Sequence, residues 1–362
     1  MEQASLFDLL DNGQDFKPIK STDWKWSMAT DYPKKNGLKV FSCFACGGGS
    51  TMGYKLAGCD VIGCNEIDPR MNETYVKNHN PKYNYLMDIR KFNKLNDLPD
   101  ELYNLDILDG SPPCTTFSMA GQREDTWGKA KKFREGQAEQ TLDDLSFVFG
   151  ETVDKLQPKV VIMENVEGLL LGEAFSYVQK IYKQFHSMGY KIKHWLCKCE
   201  NMGIPQARHR VIFIATRLDF DLDKIDMVFN YAPILFGEVK EGIGQQAACY
   251  ELLCKARRSD KCLADILIRE EGRNSRFNEM IVWDDMVSPT VHTHGFYRGD
   301  DKTKFTMEDY RNCSTFPRDY DWCGQIPSYI TGMSVPPIMI KRIVTRLIES
   351  GIFGNVPIPQ QD

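Results

Sequence analysis

The sequence predicts an α/β fold, in which a mostly parallel β-sheet is wrapped by helices. From Gly37 onward, short β-rich runs alternate with helical patterns, which is typical of such a sheet. Polar residues or glycines stand at the ends of these runs, and a glycine-rich turn follows the first run. Because ligands of open α/β sheets bind beyond the carboxyl ends of the strands, we expect a functional site at that edge.

Six runs are predicted strands: KVFSCF, DVIGCNEI, LDILDG, KVVIMENV, KIKHWLCKC and RVIFIATR. Residues 218–288 show no clear period and predict a separate, smaller lobe with irregular structure. From Val291 to Phe353 the pattern is helical again, and it closes with an amphipathic helix opened by Pro336 and Pro337. The chain is therefore divided into segments 1–36, 37–217, 218–288 and 289–362.

The charge of the chain limits how it can bind nucleic acid. A net charge of −5 over 362 residues argues against binding by bulk electrostatics, so any contact must be local. Residues 122–135 and 255–276 carry basic side chains, but both stretches also contain acids, and an ordinary solvated surface remains open for each. We find neither a signal peptide nor an apolar run of about eighteen residues, and we expect a cytoplasmic protein without a membrane span.

The segment FSCFACGGGSTMGYKLAG predicts the binding site of a nucleoside-containing cofactor. Gly47, Gly48 and Gly49 lie between a strand and a helix, where a ligand can approach the backbone closely. The spacing is not that of a phosphate loop, which disfavours a triphosphate. Glu66 ends the second strand, where its carboxylate can accept hydrogen bonds from ribose hydroxyls; the alternative is an exposed strand-end acid.

Four of the twelve cysteines come near the spacing of a structural zinc site: Cys43, Cys46, Cys59 and Cys64. Cys43 lies inside an apolar strand, and the residues between the cysteines form a glycine turn and a helix. Reduced cysteines acting as small buried hydrophobes explain the set more simply, so no metal is predicted.

A second group of polar residues ends the later strands. Cys114 follows a strand and two prolines in a polar turn, which suits a nucleophile better than a buried thiol. The run MENV brings Glu164 and Asn165 to the same edge.

The run IPQARHRV places three further polar residues at alternate positions, namely Gln206, Arg208 and Arg210. In one extended segment, all three would project from one face.

These segments, in this order and approximate spacing, resemble the motifs of the cytosine-5 DNA methyltransferase family. The likeness adds Asp88 in MDIR and the late runs TMEDYRNCSTFPRDY and TGMSVPP. It covers about Lys39 to Ile343, except the region between Arg217 and Ser288. It implies a Rossmann-like, S-adenosylmethionine-dependent enzyme of DNA with a smaller target-recognition lobe, and the type found in restriction-modification systems.

The resemblance assigns the chemistry to five residues. Cys114 is the thiolate that attacks C6 of cytosine, and the C5 position then accepts the methyl group. Glu164 contacts N3 and the exocyclic amine, for which it must hold a proton through a raised pKa, while Arg210 contacts O2. Asn165 orients the cysteine loop, and Arg208 contacts a phosphate or helps to keep the thiol ionised.

The target base must leave the duplex, because none of these atoms can be reached in stacked DNA. We expect the loop from Thr115 to Glu135 to close over the DNA and residues 218–288 to read base edges in the major groove. The expected DNA contacts are Arg123, Lys131, Lys132 and Gln206.

For S-adenosylmethionine, the resemblance implies that Phe44 packs on the cofactor, Glu66 binds the ribose and Asp88 the adenine amine. The remaining expected contacts are Cys46, Gly47, Gly48, Gly49 and Ser334. Two departures from the family pattern concern this site: Cys46 replaces the first glycine of the turn, and Met333 replaces an asparagine before Ser334.

Residues Gln3 to Phe7 resemble the pentapeptide with which bacterial enzymes bind the replication sliding clamp, with Leu6 and Phe7 as anchors. An N-terminal helix packed on the catalytic domain is the alternative. We expect a monomer that acts on double-stranded DNA. Two rival functions stay open: methylation of RNA, since a relative of the family methylates tRNA, and a catalytically idle DNA-binding protein.

Overall fold

A computed structural model describes residues 16–17, 24–113, 144–273, 275, 279–293 and 295–358. Contacts within the chain divide it into two compact units. The sheet unit is formed by residues 29–197, 209–228 and 340–362, and the small unit by residues 1–28, 198–208 and 229–339. Each unit is described by itself.

In the described part of the sheet unit, seven strands form one sheet in the order β3-β2-β1-β4-β5-β8-β6. The strands are β1 (Lys39–Cys43), β2 (Asp60–Glu66), β3 (Tyr83–Leu86), β4 (Ile107–Gly110), β5 (Val160–Val166), β6 (Lys191–Lys198) and β8 (His209–Thr216). Strands β1 to β5 pair in parallel, whereas β8 runs antiparallel to β5. The carboxyl ends of β1, β2, β4 and β5 and the amino end of β8 therefore share one edge. The α/β prediction and all six predicted strands are confirmed.

The helices cover the sheet and continue into the small unit. They are α1 (Gly49–Leu56), α2 (Pro69–His79), α3 (Ile89–Phe92), α4 (Leu145–Leu156), α5 (Phe175–Ser187), α6 (Phe236–Val239), α7 (Tyr250–Leu253), α8 (Leu263–Glu271), α9 (Met307–Cys313), α10 (Pro327–Met333) and α11 (Pro337–Glu349). Asp68 caps α2 by accepting a hydrogen bond from the Arg70 amide, and Pro69 occupies its first turn. The prediction of a last amphipathic helix opened by Pro337 is confirmed.

The core of the sheet unit lies between the sheet and its helices. Its largest buried side chains include Phe41, Phe92, Phe149, Phe185 and Phe213, each almost inaccessible to solvent. The rings of Phe41 and Phe92 stack with centroids 5.5 Å apart. Because β1, β4 and β5 are buried along almost their whole length, the polar edge is attached to a densely packed support.

The small unit has its own core, in which Phe236 and Phe305 stack with centroids 4.7 Å apart. Its strands are β7 (Gln206–Ala207), β9 (Met280–Val282), β10 (Ser288–Pro289), β11 (Phe296–Arg298) and β12 (Thr303–Lys304).

Two sequence predictions for the small unit are wrong. Residues 218–288 are not wholly irregular, because α8 forms a regular helix whose apolar side, with Leu263, Ile266 and Leu267, is buried. The stretch after Val291 is not helical at its start, because β11 and β12 pair antiparallel around a Gly-Asp-Asp-Lys turn. In the described ranges, no helix is both long and apolar enough to cross a membrane.

Candidate active site

The glycine turn connects β1 to α1 through an unusual backbone. Phe44 and Cys46 have φ of 57° and 47°, in the left-handed region that disfavours side chains. Gly48 has φ of 84°, and a Cβ there would lie 2.0 Å from Nε2 of His79. The glycine that the backbone requires is therefore Gly48.

His79 ends α2 and lies buried under this turn. Burial lowers the pKa of its imidazole to about 3, and the nearby Lys55 ammonium acts in the same direction. The ring contacts Tyr75 edge-on at a centroid distance of 4.8 Å. A neutral aromatic layer thus supports the glycine turn at neutral pH.

Glu66 fixes the turn from the end of β2. One carboxylate oxygen accepts a hydrogen bond from the Cys46 amide at 2.7 Å, and the other accepts from the amides of Ile67 and Asp68 at 2.8 Å. Glu66 is 7% exposed, which excludes the alternative of an ordinary exposed acid. Burial raises the pKa of its carboxyl, while the three amides act in the opposite direction.

Two other expected cofactor residues lie near this end of the sheet. Asp88 caps α3 by accepting a hydrogen bond from the Arg90 amide at 2.7 Å. Phe44 is half-buried, and its ring lies 6.3 Å from that of Phe149. Both belong to the sheet unit, as do Glu66 and the glycine turn.

Strand β4 leads through Pro112 and Pro113 to Cys114, which lies outside the described residues, as do Arg123, Lys131, Lys132 and the Gln3–Phe7 segment. The backbone before the cysteine is linked to β5. Asn165 is buried. Its side-chain Nδ2 donates a hydrogen bond to the Pro112 carbonyl at 3.4 Å, and its side-chain Oδ1 accepts one from the Val166 amide.

Glu164 and Arg210 meet at the same edge. The antiparallel pairing of β5 and β8 places Arg210 opposite Val166, and the Arg210 Nε lies 2.6 Å from Glu164 Oε1. The N–H is not aligned for a hydrogen bond, so charge attraction holds the contact. Arg210 also donates a hydrogen bond to the His209 carbonyl at 2.7 Å.

The single extended segment predicted for Gln206, Arg208 and Arg210 is not present, and this prediction is wrong. The extended run is broken, because β7 ends at Ala207 and pairs with β10, whereas β8 begins at His209. Arg208 donates a hydrogen bond to the Gly332 carbonyl at 3.1 Å, inside the small unit.

Gln206, which the sequence predicts to contact DNA, lies inside the small unit. Its side chain is fully buried. The amide nitrogen donates to the Cys313 carbonyl at 3.0 Å, and the amide oxygen accepts from the Val291 amide at 3.3 Å. The Gln206 side chain is therefore hydrogen-bonded within the interior of the small unit.

Ser334 follows α10 in the small unit and is buried. Within the described ranges, its hydroxyl has no hydrogen-bond partner, which is costly unless a ligand supplies one. Met333, by contrast, is about half exposed.

The basic stretch after Lys255 is largely neutralised by its neighbours. Arg258 forms ion pairs with Asp285 and Asp300, both at 2.7 Å, and Arg269 pairs with Asp260. For these residues the ordinary solvated surface is the better interpretation.

The cysteines before β3 do not form a metal centre in the described part of the chain, where no three Cys, His, Asp or Glu side chains are suitably grouped. Cys43, Cys59 and Cys64 are buried, and burial raises the pKa of each thiol. They pack as small hydrophobes.

Sequence reasoning missed Asp109, a fully buried acid near the end of β4. The available signal was a charged residue inside the apolar run LDILDG, and it was indistinguishable from the other polar strand ends.

The sheet order and its polar edge define a Rossmann-like α/β protein. Residues 38–243 match the family model of the C-5 cytosine-specific DNA methylases, and the chain belongs to this family. The family resemblance seen in the motifs is thereby confirmed.

Individual relatives agree with this assignment. The type II methyltransferase M.FnuDI of Fusobacterium nucleatum is 30% identical over 195 residues, 53% of this chain and 51% of that protein. The chain thus spans about half the length of this curated relative. The type II methyltransferase M.Sau96I of Staphylococcus aureus is 25% identical over 96% of this chain and 85% of its own length.

Solved structures share the fold. A mutant of Spodoptera frugiperda DNMT2 superposes with a TM-score of 0.61 at 15% identity, over 86% of this chain and 100% of that one. The S. pombe Dnmt2 methyltransferase gives a TM-score of 0.56 at 15% identity, over 86% and 98%.

Proposed function

We propose that this chain transfers a methyl group from S-adenosylmethionine to C5 of a flipped-out cytosine in duplex DNA, through a covalent bond to Cys114. The observation that carries the proposal is the buried Glu164–Arg210 pair, at the edge where Asn165 holds the backbone leading to Cys114. Family membership and the names of the type II relatives support the same reaction.

The residues at the polar edge fit S-adenosylmethionine. Glu66 would bind the ribose, Asp88 the adenine amine and Phe44 a face of the cofactor, with Gly48 keeping the turn free of side chains. The Ser334 hydroxyl, buried without a partner among the described residues, is suited to a further polar contact. When bound, the cofactor supplies an electrophilic methyl group.

The protein's own groups then activate the base. The Cys114 thiolate forms a bond to C6, and electrons move onto N3 and O2. Arg210 stabilises the charge on O2, and protonated Glu164 donates to N3. When C5 has taken the methyl group, S-adenosylhomocysteine is left and N3 returns its proton to Glu164. Loss of the C5 proton to water and cleavage of the S–C6 bond then restore the thiolate and the aromatic base.

The ion pair in the free protein adds a requirement. In the free protein the Arg210 guanidinium lies against Glu164, whereas the reaction needs Arg210 at O2 and Glu164 at N3. The entering base therefore has to draw Arg210 away from Glu164 to O2, which frees the Glu164 carboxyl to face N3. Because the Arg210 Nε–H is not aligned with Glu164, this exchange breaks no Nε–H hydrogen bond.

Methyl transfer from cofactor labelled in the methyl group tests the reaction. We expect label on C5 of cytosine in duplex DNA, and Arg210→Ala reduces it by about a thousand-fold. Arg217→Ala, just beyond the other end of β8, is the matched control and keeps activity. Label on RNA alone would show that the substrate is RNA and not DNA. No label on either nucleic acid would favour a catalytically idle DNA-binding protein.

The remaining roles belong to the same proposal. Residues 218–288 read the DNA sequence, and Arg123, Lys131 and Lys132 contact the DNA around the flipped base. The enzyme acts as a monomer in the cytoplasm, as part of a restriction-modification system. Bisulfite sequencing of DNA from expressing cells would reveal the methylated sequence.

The Gln3–Phe7 segment is proposed to bind the sliding clamp. A clamp pull-down tests this directly: binding is lost in the double variant Leu6→Ala with Phe7→Ala. If the clamp recovered as much of the double variant as of the wild type, clamp binding through this segment would be contradicted.

A further inference from the structure

Asp109 is a charged residue in the middle of the sheet. It lies on β4 beside Ser42 of β1 in the strand register, and it is 2% exposed. Within the described ranges, no Lys, Arg or His forms an ion pair with it. A buried carboxyl without a cation is costly and is retained only where other groups satisfy it.

Hydroxyl groups satisfy this carboxyl. The Ser42 hydroxyl donates to Oδ2 at 2.6 Å, and the Tyr54 hydroxyl donates to Oδ1 at 3.0 Å. The Ser50 side chain also lies close enough to lower the pKa of this carboxyl. Ser42 lies on the strand before the glycine turn, and Ser50 and Tyr54 lie on the helix after it.

Asp109 therefore connects both sides of the glycine turn to β4. Five residues further along the chain, β4 has led into the cysteine loop. The carboxyl thus links the elements that carry the expected cofactor residues to the strand that precedes Cys114 in the sequence.

The surroundings of Asp109 leave its charge sensitive to pH. Burial raises its pKa to about 7, and the negative charge of Glu164 on β5 adds to this, while the hydroxyls act in the opposite direction. Three further titratable groups face it, namely Cys43 on β1, Tyr54 on α1 and Tyr75 on α2. Burial and the charge of Asp109 raise the pKa of each, so they are neutral at neutral pH.

We propose that Asp109 is a positioning residue for methyl transfer, whose ionised carboxyl holds the glycine turn and α1 in register with β4, the strand that precedes Cys114 in the sequence. The proposal rests on the proposed function. An ionised carboxyl accepts from both the Ser42 and the Tyr54 hydroxyl, whereas a protonated one donates from one oxygen, so one of these hydroxyls has to turn its hydrogen away. Cofactor affinity then depends on the charge of Asp109.

The test uses Asp109→Asn, which keeps the shape and removes the charge. At about pH 8 we expect the KM for S-adenosylmethionine to rise about ten-fold, with kcat changed less than about three-fold. The wild-type kcat/KM for the cofactor should rise between about pH 6 and pH 8, and the variant should lose this rise. Asp106→Asn, just before β4, is the matched control and leaves both unchanged.

A second variant covers the case in which Asp109→Asn does not fold. Tyr54→Phe removes one bond to the ionised carboxyl and should move the pH step upward. An unchanged cofactor KM in Asp109→Asn, or an unmoved step in Tyr54→Phe, would overturn the positioning role. Calorimetric binding of the cofactor to the wild type separates the two proposals, because a wild type that does not bind it contradicts the proposed function instead.

Discussion

Two buried glutamates at one sheet edge have almost the same exposure, 7% for Glu66 and 8% for Glu164, but opposite surroundings. Glu66 is bound by three backbone amides that cannot leave it. Glu164 is held by one guanidinium whose N–H is not aligned. Fixed dipoles make a carboxylate an anchor, whereas a single side-chain partner leaves a carboxyl able to exchange partners.

The largest expected effect separates these two roles. Glu164→Gln should lower kcat about a thousand-fold with the cofactor KM little changed, because the amide has no acidic proton to supply to N3. Glu66→Gln should cost about 2 kcal/mol of unfolding free energy and raise the cofactor KM, since one amide hydrogen would face backbone N–H groups. Steady-state kinetics and urea denaturation measure both.

The control for this pair is Glu73→Gln on the exposed side of α2, which should change neither quantity. A drop in kcat for Glu66→Gln as large as that for Glu164→Gln would contradict the assignment of a structural role to Glu66 and a catalytic role to Glu164.

The next effect concerns the packing of the glycine turn against the His79 ring. Gly48→Ala should destabilise the protein by about 3 kcal/mol or more, because its Cβ would overlap the His79 ring as well as strain the backbone. Gly189→Ala has nearly the same φ, 82° against 84°, and open space around it, so it should cost only about 1 kcal/mol. Equal costs in thermal denaturation would mean that backbone strain alone requires the glycine.

The buried His79 makes the folding stability depend on pH. Its folded-state pKa of about 3 lies below its ordinary value, so only the unfolded chain takes up the proton below about pH 6.5. This group's contribution to stability is therefore present above that pH and is lost as pH falls toward 3, by about 1.4 kcal/mol per pH unit. His79→Gln should flatten the acid limb of stability against pH, and an unchanged slope would show that the imidazole is protonated in the folded state.

The smallest effect tests the departure at Cys46. Cys46→Gly should raise the unfolding free energy by about 0.5 kcal/mol, since relief of the left-handed backbone outweighs the lost chain entropy. Phe44→Gly, also at positive φ, should destabilise instead, because it removes the ring packed beside Phe149. A destabilised Cys46→Gly would show that the thiol itself holds the turn.

The features that could be predicted from the sequence are those that depend on the local pattern of apolar and polar residues. The central strands are apolar runs with polar ends, and β1, β2, β4 and β5 were found for that reason. β3 was missed because YNYL is a short edge strand with alternating exposure and no apolar run. The amphipathic helix after Pro336 follows from its 3.6-residue period.

The errors came from contacts between distant parts of the chain. Gln206 and Arg208 were placed with Arg210 on the basis of spacing in one strand, but β7 pairs with β10, about eighty residues away in the sequence. Asp109 was missed because only the packed structure shows that hydroxyls from β1 and α1 converge on it.

The most direct test of the account is covalent trapping by duplex DNA that carries 5-fluorocytosine at the methylated position, in the presence of S-adenosylmethionine. The fluorine cannot leave as a cation, so a thiol bound to C6 stays bound. We expect a stable adduct that peptide mapping assigns to Cys114, that Cys114→Ser abolishes, and that Cys254→Ser, which removes an exposed cysteine of the small unit, leaves intact. Methylation of ordinary DNA without any such adduct, or an adduct at another residue, would contradict the central claim.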